Sequence, residues 1–375
     1  MKKPFFLFFQ ICGRAFLFIL TFFLFPITLL YSDDPLIVRN VENIVAVDNV
    51  CAWPSLTLLP DGSIAATLFN KPSHGLMEGD VDCYVSGDGG RTWIYSGTPA
   101  PHEPKTIRMN HASGLSSDNS LVVLCSGWGG KDYREYILPV MVSRSRDGGV
   151  TWDRSGEVRI QKGMPDLIPY GNIIRVNGGT LAVSLYDAVS MHGINRGYVF
   201  FSLDDGRTWQ EPVIIGENDA LRYPELGNYN ETSLLCTSQN RFLAVSRTNT
   251  RDARLELLIS DNRGRSWKIP EAFYGSGLTT SQEHPGHILK LNDGRILLTY
   301  GIRWGAHGIG ARISKDNGLT WGPPMIVFSY GGNDGGYPSS VQLEDGTIVT
   351  AYYSDKNRFH DRYYMGVLRW MAPKE

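Results

Sequence analysis

Six times along the chain a short apolar run leads into a polar turn and a second apolar run. The copies span Ser55–Phe69, Ser113–Cys125, Asn172–Tyr186, Thr232–Ser246, His287–Gly301 and Ser339–Tyr353. Several turns are Asp-Gly or Asn-Gly, as at Asp61-Gly62, Asn177-Gly178, Asp293-Gly294 and Asp345-Gly346. Those residues accept the positive φ of a tight two-strand turn, so the pattern predicts antiparallel hairpins. A second repeat runs out of phase with the first. It is an octapeptide of Ser, Asp or Asn, Gly, Thr or Ser and a final Trp, at Ser86–Trp93, Ser145–Trp152, Ser202–Trp209, Ser260–Trp267 and Ser314–Trp321. Its tryptophans stand 59, 57, 58 and 54 residues apart, a regularity that means an array of equal units.

A unit of roughly 57 residues has room for four strands, and four-stranded units in series close radially. The expected fold is therefore all-β, a six-bladed β-propeller of four-stranded antiparallel blades, with the octapeptide bridging the later strand pair of a blade. The last unit carries no octapeptide, and Leu36–Val47 is expected to supply a strand that closes the ring. In the octapeptide itself, Asp and the hydroxyls satisfy turn amides, Gly takes the left-handed position and Trp wedges between sheets, a structural role.

The N-terminus departs from this pattern. Lys2 and Lys3 precede an apolar stretch, uninterrupted from Ala15 to Leu30, that exits at Tyr31-Ser32-Asp33-Asp34. Charge, apolar run and polar exit in that order read as a secretory signal over residues 1–32. The run is short for a membrane span and holds Pro26, which favours removal over retention as an anchor. The propeller then occupies 33–375. The protein is expected to be secreted, periplasmic or at the cell surface, touching membrane only through this segment if it is retained.

The formal net charge of −2 and the absence of any Lys/Arg run exclude a nucleic-acid partner. Four cysteines in the body, Cys51, Cys83, Cys125 and Cys236, are widely spaced, so disulfides are permitted but not required. No HxH or HExxH array appears, and neither a metal nor a cofactor is expected. A monomer is expected.

In a propeller the residues that begin the innermost strands meet around the axis. These positions are Trp53, Asn110 with His111, Tyr170, Asn230 with Glu231, His284, and Tyr337. The second strand of each hairpin returns to the same face with Asn70 to His74, Trp128, Tyr186-Asp187, Arg247, Arg303 and Tyr353 to Asp355. A bowl with two arginines, carboxylates, histidines and aromatic walls suits an acidic sugar.

The octapeptides, known as Asp-boxes, and their spacing resemble the sialidase superfamily over essentially the whole chain after the signal. The resemblance implies a tyrosine nucleophile assisted by a glutamate, three arginines for the substrate carboxylate, and an aspartate acid/base. A neutral tyrosine approaches an anionic anomeric centre without the repulsion a carboxylate would meet. Gly336-Tyr337-Pro338 looks like the nucleophile segment and Asn230-Glu231 like the glutamate. Arg247 and Arg303 fall where the second and third arginines are expected. The first arginine's segment appears here as Ala52-Trp53-Pro54, and the acid/base aspartate aligns nearest His74, with Glu78, Asp80 and Asp82 following. His74 is thus the first candidate for general acid and Glu78 the second. Trp53 offers a stacking face, and Asn110 and His111 look like hydroxyl binders, with Tyr170 beside them. Arg108 reads equally as a substrate contact or a strut, and His284 as a site member or loop structure.

Three functions fit these residues: an exo-glycoside hydrolase acting on terminal acidic sugars of a glycan, a polysaccharide lyase acting on uronates, and a glycan-binding propeller without catalysis. The hydrolase is the leading reading, and retention of both Tyr337 and Glu231 opposes the third, because binding alone needs no activated nucleophile.

Overall fold

In a computed structural model the structure describes residues 35–176, 179–187, 195–216, 228–238 and 240–374. The predicted signal at 1–32 lies outside them. The described residues carry no α-helix, only two short 3-10 turns at Lys131–Tyr133 and Glu271–Phe273. Two N-terminal strands, β1 (Leu36–Ile37) and β2 (Glu42–Asp48), precede a series of antiparallel meanders. These run through β3 (Ala52–Leu58), β4 (Ile64–Phe69), β5 (Val81–Ser86) and β6 (Ile94–Ala100), then β7 (Thr106–Leu115), β8 (Leu121–Gly129), β9 (Tyr136–Ser145) and β10 (Asp153–Val158). Next come β11 (Leu167–Arg175), β12 (Leu181–Asp187), β13 (Gly197–Ser202) and β14 (Thr208–Ile214), followed by β15 (Tyr229–Cys236), β16 (Phe242–Thr248) and β17 (Leu255–Ser260). The chain finishes with β18 (Glu283–Lys290), β19 (Ile296–Ile302), β20 (Gly308–Ser314) and β21 (Met325–Ser329), then β22 (Gly335–Gln342), β23 (Ile348–Ser354) and β24 (Tyr364–Trp370).

The arrangement is all-β and propeller-like, but its hydrogen bonding is less uniform than the repeat predicts. Sheets β3–β6 and β2-β24-β23-β22 have four strands, β15–β17 has three, and β18–β21 gains β1 as a fifth. Strands β7–β14 form one closed set of eight, because β7 pairs with β11 and β10 with β14 in parallel. The N-terminal segment divides its work. Glu42–Asp48 pairs antiparallel with β24, whereas Leu36–Ile37 joins β21 rather than the last sheet.

Middle strands such as β4, β13 and β23 are buried along their whole length, which is why they are near-continuous apolar runs instead of alternating ones. The core lies between neighbouring sheets. Leu68 and Phe69 of the first pack with Val349, Tyr353 and Val367 of the last, and Phe201 packs with Phe242, Leu258 and Trp267.

The Asp-boxes hold the β5–β6, β9–β10, β13–β14 and β20–β21 connections and the segment after β17. In all five the Ser hydroxyl accepts from the Gly amide at 2.8 Å and donates to the Asp or Asn side chain. The same Asp or Asn accepts the amide of the following Thr or Ser, and the Trp indole donates to the Gly carbonyl. These bonds lower the carboxyl of Asp88 well below its ordinary range. All four cysteines of the body are free; burial pushes the Cys83 and Cys125 thiols up to about 12.

Each innermost strand is irregular at one place. Register breaks fall at Ala52/Ser55, Arg108/Asn110, Tyr170/Ile174, Tyr229/Thr232, Glu283/Gly286 and Gly336/Ser339. Sequence reading set the axial residues just ahead of these strands; they lie inside them, at the breaks. Proline cannot donate to a ladder and is tolerated at such points, which accounts for Trp53-Pro54, His284-Pro285 and Tyr337-Pro338. Trp53 (φ 45°) and Tyr337 (φ 53°) adopt the left-handed region there, a conformation that costs a bulky residue of order 1–3 kcal/mol and re-aims its side chain.

Among the box tryptophans, Trp209 is fully buried and Trp93 only partly. Trp209→Ala is expected to cost about 3–5 kcal/mol and Trp93→Ala about half as much, read from urea unfolding midpoints. Equal losses would contradict the wedge account.

Candidate active site

The register breaks of β3, β7, β11, β15 and β22 converge on a pocket of about 100 Å³ at the axis. Trp53, Pro54, Asn110, Pro169, Tyr170, Glu231, Tyr337 and Pro338 line it, and His74 reaches it from the β4–β5 loop. On its far side the axis is closed by hydroxyls: Ser55 bonds Ser113 at 2.8 Å and Thr57 bonds Ser113 at 3.1 Å.

At the centre the Tyr337 hydroxyl donates to Glu231 Oε1 at 2.5 Å. Arg247 Nη1 donates to Glu231 Oε2 at 2.7 Å and lies 3.5 Å from the Tyr337 oxygen. Burial first, and then the Glu231 charge, push the Tyr337 phenol well above its ordinary value, so it rests protonated. Its proton already sits on a hydrogen bond to the carboxylate that would receive it. Tyr170 packs edge-on against the Tyr337 ring at 6.2 Å, Trp53 does so at 6.4 Å, and the Arg303 guanidinium stands 5.8 Å from its centroid. Arg247 Nε and Arg303 Nη1 are buried donors without partners among the described residues. Neither arginine lines the pocket, although each side chain is 24 % exposed.

A second cluster surrounds Asp334, which sequence reading did not single out. Its carboxylate bonds His74 Nδ1 at 2.8 Å and accepts from the hydroxyls of Tyr353 at 2.8 Å and Tyr363 at 3.0 Å, with Arg303 Nη2 at 3.4 Å. Burial opposes its charge, but hydrogen bonds from His74, Tyr353 and Tyr363 hold its carboxyl down at about 2. The one available signal was position: Asp334 stands three residues before Tyr337, outside the repeated strand-start register.

Other predicted residues fall elsewhere. Glu78 does not line the pocket; its Oε2 faces His102 Nε2 at 3.5 Å, and His102 in turn holds Asp80 at 2.7 Å. Arg108 is buried and acts as a strut, donating to Glu103 at 2.9 Å and to the Pro139 carbonyl at 2.7 Å. His111 touches the pocket wall, but its ring nitrogens face the carbonyls of Met109 at 3.1 Å and Thr67 at 3.0 Å, leaving neither for a sugar hydroxyl. Asn110 lines the pocket and accepts from the Trp128 indole at 3.2 Å. His284 is 1 % exposed, lies behind the wall rather than on it, and has no partner on either nitrogen among the described residues. Burial, with Arg247 and Arg303 adding to it, holds His284 neutral, down to about 2.

The fold is shared with solved structures. A protein of unknown function from Dyadobacter fermentans superposes with a TM-score of 0.71 at 21% identity, covering 89% of this chain and 100% of that one. Trypanosoma rangeli sialidase in complex with the inhibitor DANA gives 0.64 at 13% identity, covering 90% of this chain, which spans 60% of that sialidase. Penicillium chrysogenum alpha-L-arabinanase complexed with arabinobiose gives 0.58 at 15% identity, covering 88% and 98%. Together they define a glycoside-hydrolase-like fold of the sialidase and arabinanase kind. Residues 62–350 match the model of the BNR repeat-like domain, and the chain belongs to that family. Among curated proteins none matches.

His287, at the pocket floor, is held down to about 4 by burial. A buried neutral histidine binds a proton only after its unfolded counterpart has, so folding stability is complete above about pH 6.5 and falls as pH drops toward 4. His287→Gln is expected to remove about 3 kcal/mol of that loss, measured by urea unfolding at pH 7 and pH 4. Parallel pH dependence in both proteins would contradict it.

Proposed function

We propose that the protein is an exported exo-glycoside hydrolase that releases a terminal acidic sugar from a glycan, with Tyr337 as nucleophile and Glu231 as its base. The observation that carries this reading is the 2.5 Å contact between Tyr337 and Glu231 in the axial pocket. A pocket of about 100 Å³ supports the exo mode, since it accepts the end of a chain and not its middle.

In the first step the Tyr337 oxygen bonds the anomeric carbon as the glycosidic C–O bond breaks. The phenolic proton passes to Glu231, and the departing oxygen takes a proton from His74. In the second step water attacks the same carbon from the face the leaving group vacated, giving its proton to His74, while the bond from that carbon to the Tyr337 oxygen breaks and Tyr337 recovers its proton from Glu231. Two displacements retain the anomeric configuration. Arg247 and Arg303, each side chain 24 % exposed, are assigned the anionic group of the sugar. With Ala52 in place of a third arginine, Trp53 supplies a stacking wall instead.

The finer architecture belongs to the same proposal. The closed set of eight strands is taken as two four-stranded blades, β7–β10 and β11–β14, joined by contacts of two residue pairs at each edge, which completes a ring of six. The segment 1–32 directs export, and a mature N-terminus close to Asp33 tests that assignment.

Purified protein is expected to release chromophore from one member of a panel of aryl glycosides of sialic acid, glucuronic acid and fucose. Tyr337→Phe should lower the rate by at least about 10³-fold and Glu231→Gln by about 10²–10⁴-fold, with both variants folded. Full activity in Tyr337→Phe would sink the nucleophile assignment. An unsaturated product absorbing in the ultraviolet from uronate polymers would replace hydrolysis by elimination.

A further inference from the structure

Two loops from opposite ends of the chain meet at one side of the pocket, and their contact carries chemistry the central pair cannot supply. His74 lies between β4 and β5, and Asp334 immediately precedes β22. Their side chains are 260 residues apart in sequence and 2.8 Å apart in space, Nδ1 to Oδ2. We propose that His74 and Asp334 form a dyad that serves as the acid/base of the reaction, Asp334 being the positioning residue that selects the His74 tautomer. This inference rests on the hydrolase reading above.

The geometry supplies each requirement. An ionised Asp334 accepts the Nδ1 proton, so Nε2 is the nitrogen that gives its proton to the glycosidic oxygen from the imidazolium and, in the neutral ring left behind, takes one from the attacking water. His74 is half exposed and lines the same pocket as Tyr337, so its ring is open both to that pocket and to solvent. The ring stands edge-on to Trp53 at 5.0 Å and lies 6.5 Å from Tyr353, both of which also pack against Tyr337.

Asp334 is itself fixed from several sides. Tyr353 from β23, Tyr363 from the β23–β24 loop and Arg303 from the end of β19 approach its carboxylate, and its amide donates to Asp355 Oδ1 at 3.2 Å. The His74 loop is pinned by Arg134, whose Nη1 donates to the Gly75 carbonyl at 3.0 Å. Gly75 has φ 68°, a conformation glycine adopts without strain, and a β-carbon there would have to displace the ends of the Arg134 and Met109 side chains, 2.8 and 2.9 Å away. The charged neighbours of His74 are thus Asp334, Arg134 and, through Asp334, Arg303.

A proton donor to the leaving oxygen matters only when that oxygen is a poor leaving group, which separates the dyad from the nucleophile. Dinitrophenyl and benzyl glycosides of sialic acid, glucuronic acid and fucose are the probes. His74→Ala and Asp334→Asn are expected to lose about 10²-fold or more in kcat on the benzyl glycoside of the accepted sugar and less than about 10-fold on its dinitrophenyl glycoside. Tyr337→Phe should fail on both. Nitrogen-15 NMR of the resting wild-type protein at pH 8 should show His74 protonated on Nδ1, and Asp334→Asn should lose that signature while its other histidine signals stay in place. Equal losses of Asp334→Asn on the two leaving groups, a change in KM alone, or an unchanged His74 tautomer would each overturn the dyad. No turnover of any probe by wild type would instead overturn the hydrolase reading, and the dyad's catalytic role with it.

Discussion

Glu231 is a carboxylate buried at the axis of a ring of sheets, 7 % exposed, and its burial sets terms for everything around it. An unpaired carboxylate in that position would be costly, and each of its oxygens has a partner: the Tyr337 hydroxyl on Oε1 and Arg247 on Oε2. The three residues come from β22, β15 and β16, so the pairing also ties together sheets far apart in the chain. The same desolvation that makes Glu231 demand partners keeps Tyr337 protonated, which is the resting state a tyrosine nucleophile needs.

Side chains from six separate strands can reach one point because every inner strand breaks register at the axis. A regular ladder would send alternate residues to the two faces of a sheet. The breaks instead turn Trp53, Tyr170, Glu231 and Tyr337 into a single pocket, with positive φ at Trp53 and Tyr337 as the cost. Rigidity for this strained centre comes from the periphery, where five equivalent Asp-box networks lock the turns at the outer edge and the tryptophans fill the gaps between sheets.

Much of this was legible in the chain. Asp-Gly and Asn-Gly turns between apolar runs located the hairpins because few other residues accept positive φ, and the regular tryptophans set the size of the repeat. Equivalent positions in a ring must meet, which brought Trp53, Asn110, Tyr170, Glu231 and Tyr337 to one list before any coordinates. The failures have local causes. Arg108 and Asn110 share a face in a regular strand, but the break between them separates the two, and Arg108 turns to Glu103 and the Pro139 carbonyl. The His111 nitrogens are taken by carbonyls of its own and the neighbouring sheet. Asp334 was invisible because it belongs to a connecting segment with no counterpart in the other units, so no periodicity pointed to it. The variation in strand number among the sheets likewise follows from edge contacts, such as β10 with β14, that a repeat cannot specify.

The central claim is that Tyr337 bonds covalently to the sugar. Fluorine beside the anomeric carbon slows both the formation and the breakdown of such an intermediate, and a good leaving group offsets the slowing of formation alone, so the adduct accumulates. Intact and peptide mass spectrometry after incubation with difluorosialic acid, and separately with the fluorinated glucuronyl fluoride, tests the claim directly. The account predicts one sugar added per protein molecule, carried on Tyr337 and absent in Tyr337→Phe. An adduct on any other residue, or turnover of the matching aryl glycoside with no adduct at Tyr337, would contradict it.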